Sequence, residues 1–135
     1  MSQIKSDTIT DGIRIEAQAQ YIKQESKPEH NQFVFVYKIR ISNEGDKWAK
    51  LDSRYWLIIN AEGEEKEVKG PGVVGYYPAL KPGEQFEYTS WSPLDTEWGT
   101  MEGRFEFHRE DGERFSANIN RFYLAMTAEE TLENF

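Results

Sequence analysis

An all-β fold, an antiparallel sandwich of short strands, is the architecture this sequence predicts, and three observations predict it. Apolar and polar side chains alternate at a two-residue period in several segments. Turn residues separate those segments at fairly regular intervals. The apolar supply is rich in rings, with 8 Phe, 7 Tyr and 4 Trp, residues that favour the pleated surface of strands.

The first alternating segment carries Ile13, Ile15, Ala17, Ala19 and Tyr21 on one face and Arg14, Glu16, Gln18 and Gln20 on the other, the signature of a half-buried strand. After a polar loop from Glu25 to Asn31, Phe33, Phe35, Tyr37, Ile39 and Ile41 repeat the pattern, and Val34 and Val36 make the first half apolar on both sides, as in a central strand. Asn43 to Asp46 supply a turn. A third segment, Trp48 to Asn60, breaks its period near Asp52 to Arg54, which predicts a bulge there. A short strand follows around Glu67 and Val68.

Gly70 to Gly75 read as a glycine-rich loop, and Pro78 and Pro82 exclude a helix of ordinary length after it. Lys81-Pro82-Gly83-Glu84 is a turn, and Phe86 and Tyr88 start the next strand. Ser92 to Gly99 read as a loop. Met101 to Phe107 and Phe115 to Ile119 alternate on either side of Asp111-Gly112, a hairpin signal, and Phe122 and Leu124 extend the second of them. Thr127 with Glu130 has capping-box spacing in a short acidic tail. A single domain over 1–135 is expected, with its core at about 12–126 and short tails at 1–10 and 127–135. A sandwich suits the interrupted strand lengths better than a closed barrel.

Composition narrows the function classes. The chain has 135 residues and no Cys, so disulfides, thiolate metal sites and a Cys nucleophile are excluded, and a cytoplasmic location is expected. No apolar run approaches the roughly 20 residues that span a bilayer. A net charge of -8 repels phosphate backbones, so nucleic acid is not expected as a partner.

Gly70-Pro71-Gly72-Val73-Val74-Gly75 matches G-x-G-x-x-G, but without the helix that a dinucleotide fold places after it. Two readings of it stay open. Gly70, Gly72 and Gly75 permit a sharp reversal between strands, or their backbone N–H groups form an anion nest with Lys69 nearby. The acidic groups Glu62 to Glu67 and Glu110 to Glu113 lack calcium-loop spacing and fit solvated turns, so no metal or other cofactor is expected. His30 lies in a polar loop and His108 on a wet strand face, each without a neighbouring motif that would make it a base. No motif of a hydrolase elbow, zincin or Walker loop occurs, so catalysis is not expected. Tyr76, Tyr77, Trp91 at a strand end and Trp98 in the following loop either plug the ends of the sandwich or form a shared contact patch.

Ser53-Arg54-Tyr55-Trp56-Leu57-Ile58, Val68 through Gly75, Leu80 through Glu84 with Phe86 through Ser90, Gly99 through Gly103, and Asp111-Gly112 before Phe115 together resemble the ApaG family, over roughly Gly12 to Met126. The resemblance implies an immunoglobulin-like sandwich close to fibronectin type III, and no established catalytic activity. It implies kinship with protein-interaction domains of eukaryotic F-box proteins and of a polymerase-interacting protein. In bacteria it implies an association with cobalt resistance, magnesium efflux and a diadenosine tetraphosphate hydrolase. It also carries the idea of a pyrophosphate site, which transfers to Gly70, Gly72 and Gly75. Trp91 departs from the family, which more often has Gly after the Thr-Ser pair, and the tail from Thr127 is longer and more acidic.

The expected function is therefore a non-catalytic cytosolic module for protein–protein interaction, acting through its loops and an exposed sheet edge. The alternative is a small-ligand sensor that binds pyrophosphate or a dinucleoside polyphosphate through the glycine loop. Homodimerisation through an edge strand stays open.

Overall fold

The computed structural model describes residues 5–126. Nine strands follow in order: β1 (Lys5–Thr10), β2 (Ile13–Tyr21), β3 (Phe33–Asn43), β4 (Ala49–Asn60), β5 (Glu65–Pro71), β6 (Ala79–Leu80), β7 (Gln85–Leu94), β8 (Trp98–His108) and β9 (Arg114–Ala125). One sheet has the order β1-β2-β3-β7, the other β5-β4-β8-β9, with β6 paired to the start of β4. Each pairing is antiparallel. The two sheets stack as the sandwich that the alternation predicts, the architecture of immunoglobulin-like and fibronectin type III domains. Among the described residues no helix is long and apolar enough to cross a membrane.

The core forms where the inward residues of both sheets meet. Ile13, Ile15, Phe35, Ile39 and Ile41 from one sheet face Leu51, Trp56, Phe105, Phe107, Phe122 and Leu124 from the other, all of them buried. Trp56 is at the centre. Its ring centroid lies 5.4 Å from Tyr37, 6.2 Å from Phe105 and 6.0 Å from Phe122, each pair edge-on, the geometry that ring quadrupoles favour. The break in the third segment is a bulge: the β4–β8 register shifts between Leu51 and Ser53, so Asp52 is the extra residue.

Three boundaries differ from the sequence reading. Residues 5–10, expected in an N-terminal tail, form β1, because Asp11 and Gly12 take positive φ (49° and 85°) and turn the chain back onto β2. Ser92 to Gly99 is mostly strand, since β7 runs to Leu94 and β8 begins at Trp98. Gly70 and Pro71 belong to β5. The capping-box pair Thr127 and Glu130 lies outside the described residues.

One side of the sandwich is closed and the other is not. On the closed side, the backbone N–H groups of Asn118 and Asn120 in β9 donate to the hydroxyls of Thr10 and Thr8 in β1, each at 3.3 Å. Arg14 clamps β1 from β2 through Asp7 at 2.6 Å, and that guanidinium holds the Asp7 carboxyl below the usual carboxylate range. On the other side, β5 and β7 are the terminal strands of their sheets.

Candidate functional site

The direction of the β7 backbone follows from β3. The Val34 N–H donates to Ser26 Oγ at 2.9 Å, and the Val34 carbonyl accepts from the Ile22 N–H at 2.9 Å. Val34 thus turns both backbone groups away from its cross-strand partner Pro93. Bonded and non-bonded pairs alternate along an antiparallel ladder. Gln85, Glu87, Thr89 and Trp91 therefore aim their N–H and C=O groups out of the sheet. Pro93 sits where a missing N–H costs no ladder bond.

Aromatic side chains lie along this edge. Phe86, Tyr88, Ser90, Ser92 and Leu94 share the inner face of β7, and Trp91 is on the outer face opposite Val36. Trp91 is 56% exposed, whereas Val36 and the adjacent Gln20 are nearly enclosed although they too point outward. Tyr76 is 61% exposed, with its ring 5.8 Å from Phe86, which lies 6.3 Å from Tyr88. Tyr88 in turn lies 6.5 Å from Tyr37, so a file of rings runs from the surface to Trp56. Tyr77 is exposed beside Gly72. Trp98 is the first residue of β8 and stacks on Tyr123 at 6.0 Å, on the outer face of the second sheet. Trp91 and Trp98 therefore face opposite directions, and Tyr76 with Trp91 flank β7.

The glycine motif folds as a tight hairpin. Val73 and Tyr76 exchange backbone hydrogen bonds of 2.8 Å in both directions, and Val74 and Gly75 between them have φ of 44° and 87°, as a type I′ turn requires. A β-branched residue is strained there. Val74→Asn should raise stability by about 1 kcal/mol, read as a higher midpoint in urea. Gly72 cannot accept a side chain, since a Cβ would lie 2.6 Å from the Tyr76 carbonyl oxygen. The Gly72 N–H donates to the Asp52 carbonyl at 2.9 Å. Pro71 has no N–H and those of Gly72, Val73 and Tyr76 are engaged, which leaves the tip residues Val74 and Gly75 with no acceptor among the described residues.

Charge at this loop comes from a residue that the motif did not indicate. Arg54 donates from Nη1 to the carbonyls of Pro71 and Gly72 at 2.9 and 3.0 Å. Its guanidinium lies against Gly70, where a Cβ would approach it to 2.9 Å. Lys69 alternates to the other face, with its ammonium 5.9 Å from the Tyr55 ring centroid. The sharing of one face by Arg54, Trp56 and Ile58 was the available sequence signal. Tyr37 and Tyr88 stay protonated at neutral pH, because burial pushes both hydroxyls above the usual tyrosine value. The Arg54 charge opposes that shift at each of them, and a hydrogen bond with Ser90 does so at Tyr37.

His108, expected to be solvated, has a carboxylate partner instead. Its Nδ1 lies 2.9 Å from Asp52 Oδ1, and its ring meets Trp48 edge-on at 5.6 Å. The bulge at Asp52 makes this contact, which no local motif encodes. Among the described residues no hydrogen bond reaches Nε2.

Comparison with known proteins agrees with this picture. A family model described as the ApaG domain matches residues 23–109. Protein ApaG of Azoarcus sp. (strain BH72) is 48% identical over 122 residues, which cover 90% of this chain and 94% of that protein. Protein ApaG of Bdellovibrio bacteriovorus is 47% identical over 112 residues, covering 83% and 88%. A crystal structure of a Bordetella pertussis protein described as ApaA superposes with a TM-score of 0.80 at 40% identity, covering 93% of this chain and 98% of that one. With the domain model across most of the strands and relatives this similar along nearly their whole length, the chain belongs to the ApaG family.

Proposed function

We propose that this chain is a cytosolic, non-catalytic binding module that takes an extended segment of a partner protein on the free edge of β7. The observation that carries this reading is the edge itself, from Gln85 to Leu94, with outward backbone groups and exposed rings at Tyr76 and Trp91. A segment laid beside it gains main-chain hydrogen bonds, while alternate side chains supply specificity. Tyr and Trp contribute large contact area at small entropic cost. A phosphate-binding glycine loop is the weaker reading, because the N–H groups of Gly72, Val73 and Tyr76 already have backbone acceptors.

The reading is tested by quantitative capture on tagged wild-type protein beside two variants. Thr89→Pro removes an outward N–H without touching a bond to β3, and it should abolish capture of the specific partner. Trp91→Ala should weaken capture at least about tenfold, as loss of an anchoring Trp does. Retention of every partner by both variants, or no partner enriched on wild type, would refute it.

A further inference from the structure

Resting on the reading of β7 as a docking edge, we infer that Arg54, on the inner face of β4 beside the terminal strand β5, receives a carboxylate side chain of the segment that adds to β7. Arg14, Arg40, Arg104 and Arg121 each pair with a carboxylate, whereas Arg109, which donates to two carbonyls and lies over the Phe115 ring, and the exposed Arg114 have none among the described residues. Arg54 has none either, and it differs from those two in lying on the inner face of β4 against Gly70: its two hydrogen bonds come from Nη1 and go to carbonyls, which fixes the guanidinium without neutralising it. The side chain is half-buried, which raises the strength of any charge it meets.

A second observation points to the same place. The Tyr88 hydroxyl is buried and has no hydrogen-bond partner among the described residues. Buried polar groups are seldom left so. The charge of Arg54 is felt at this hydroxyl and at that of Tyr37. Tyr88 is on the inner face of β7, and Arg54 is on the inner face of β4 beneath Gly70 of β5.

The position of a guest strand follows from the ladder. A strand added to β7 extends the first sheet under β5, and every second side chain on it turns inward. One inward side chain near Tyr88 and Ser90 then points towards Arg54. Gly70 lets the guanidinium lie close against β5, since a Cβ there would press on it. A carboxylate accepts from the fork of an Arg and from a phenol together, and such charge-assisted bonds are about twice as strong as neutral ones.

The test uses the full chain and fluorescein-labelled decapeptides of alternating Thr and Val, with a single Glu or a single Gln placed at each position in turn. Binding is followed by fluorescence anisotropy. At one position Glu should bind about tenfold tighter than Gln, as a hydrogen bond to a charged group implies. Arg54→Met should erase that ratio while the Gln peptide keeps its affinity. Tyr88→Phe, which preserves the ring and the packing, should reduce it severalfold. Thr89→Pro should abolish binding of every peptide. Equal affinity of Glu and Gln at all positions, with Thr89→Pro still abolishing binding, overturns the carboxylate site and leaves the edge reading standing. A Glu preference that survives Arg54→Met overturns the site as well. Binding that ignores Thr89→Pro, or no binding by any peptide, overturns both.

Discussion

Gly103→Ala should cost about 3 kcal/mol or more, beyond the usual range for overpacking, and is the single-methyl change expected to be most damaging in the molecule. Gly103 is paired with Trp56 at the middle of the β4–β8 ladder, next to the register shift after Met101. A Cβ at this position would overlap the Tyr55 carbonyl oxygen and lie 3.0 Å from Tyr55 C and 3.2 Å from Trp56 Cα. These are backbone atoms of a central strand, so no rotamer change relieves the contact, and β4 and β8 must separate. Domains of this size are stable by only about 5–15 kcal/mol. Urea denaturation should show a large fall in midpoint, and an unchanged midpoint would mean that the strands separate freely. Gly63→Ala is a useful contrast, because nothing lies within 4 Å of a Cβ there. Its cost should come from the positive φ of 83° alone, about 1 kcal/mol.

Trp56→Ala should destabilise the protein by about 3–5 kcal/mol through lost burial and the cavity left behind. Its ring touches Tyr37, Phe105 and Phe122, so both sheets lose a neighbour at once. The effect should extend to the edge. Tyr37 packs on Trp56, and its hydroxyl is hydrogen-bonded with Ser90 on the inner face of β7. A loosened Tyr37 therefore frees the middle of β7. Denaturation with an unchanged m-value, together with faster amide exchange at Ser90 and Tyr88, would support this. Protection at those amides equal to wild type would show that the ring file does not brace β7. Trp56→Phe should recover much of the lost stability.

Period-two alternation made most of the fold legible. Ile13 to Tyr21 and Phe33 to Ile41 appear as strands with the expected inner faces, and the broken period around Asp52 marked the bulge. Lys5 to Thr10 escaped notice because both of its faces are mostly polar: β1 is held by hydroxyls and Arg14 rather than by apolar contact. The Asp11-Gly12 dipeptide was the signal for its hairpin. Pro93 disguised the end of β7, since proline demotes a strand in sequence unless it lies on an edge.

The candidate site was harder to see. The place of Tyr76, Tyr77, Trp91 and Trp98 outside the alternation left plugging and exposure both open, and the fold exposes all four. Which of them share a surface depends on strand order, and that is a property of pairing across long separations. Arg54 was hidden because it interrupts an apolar face, and only the register with Gly70 shows what it meets. His108 and Asp52 are 56 residues apart and meet only across the bulge.

The Thr8 and Thr10 hydroxyls that cap β9 have an implication for assembly. A protein whose sheets were open at both extremities could accept one guest and offer a fresh template at the far side, and so polymerise. Here the far side is partly occupied, because a strand arriving between β1 and β9 would first have to displace these two hydroxyl contacts. Protecting one extremity in this way is a means by which sheets restrain edge-to-edge association.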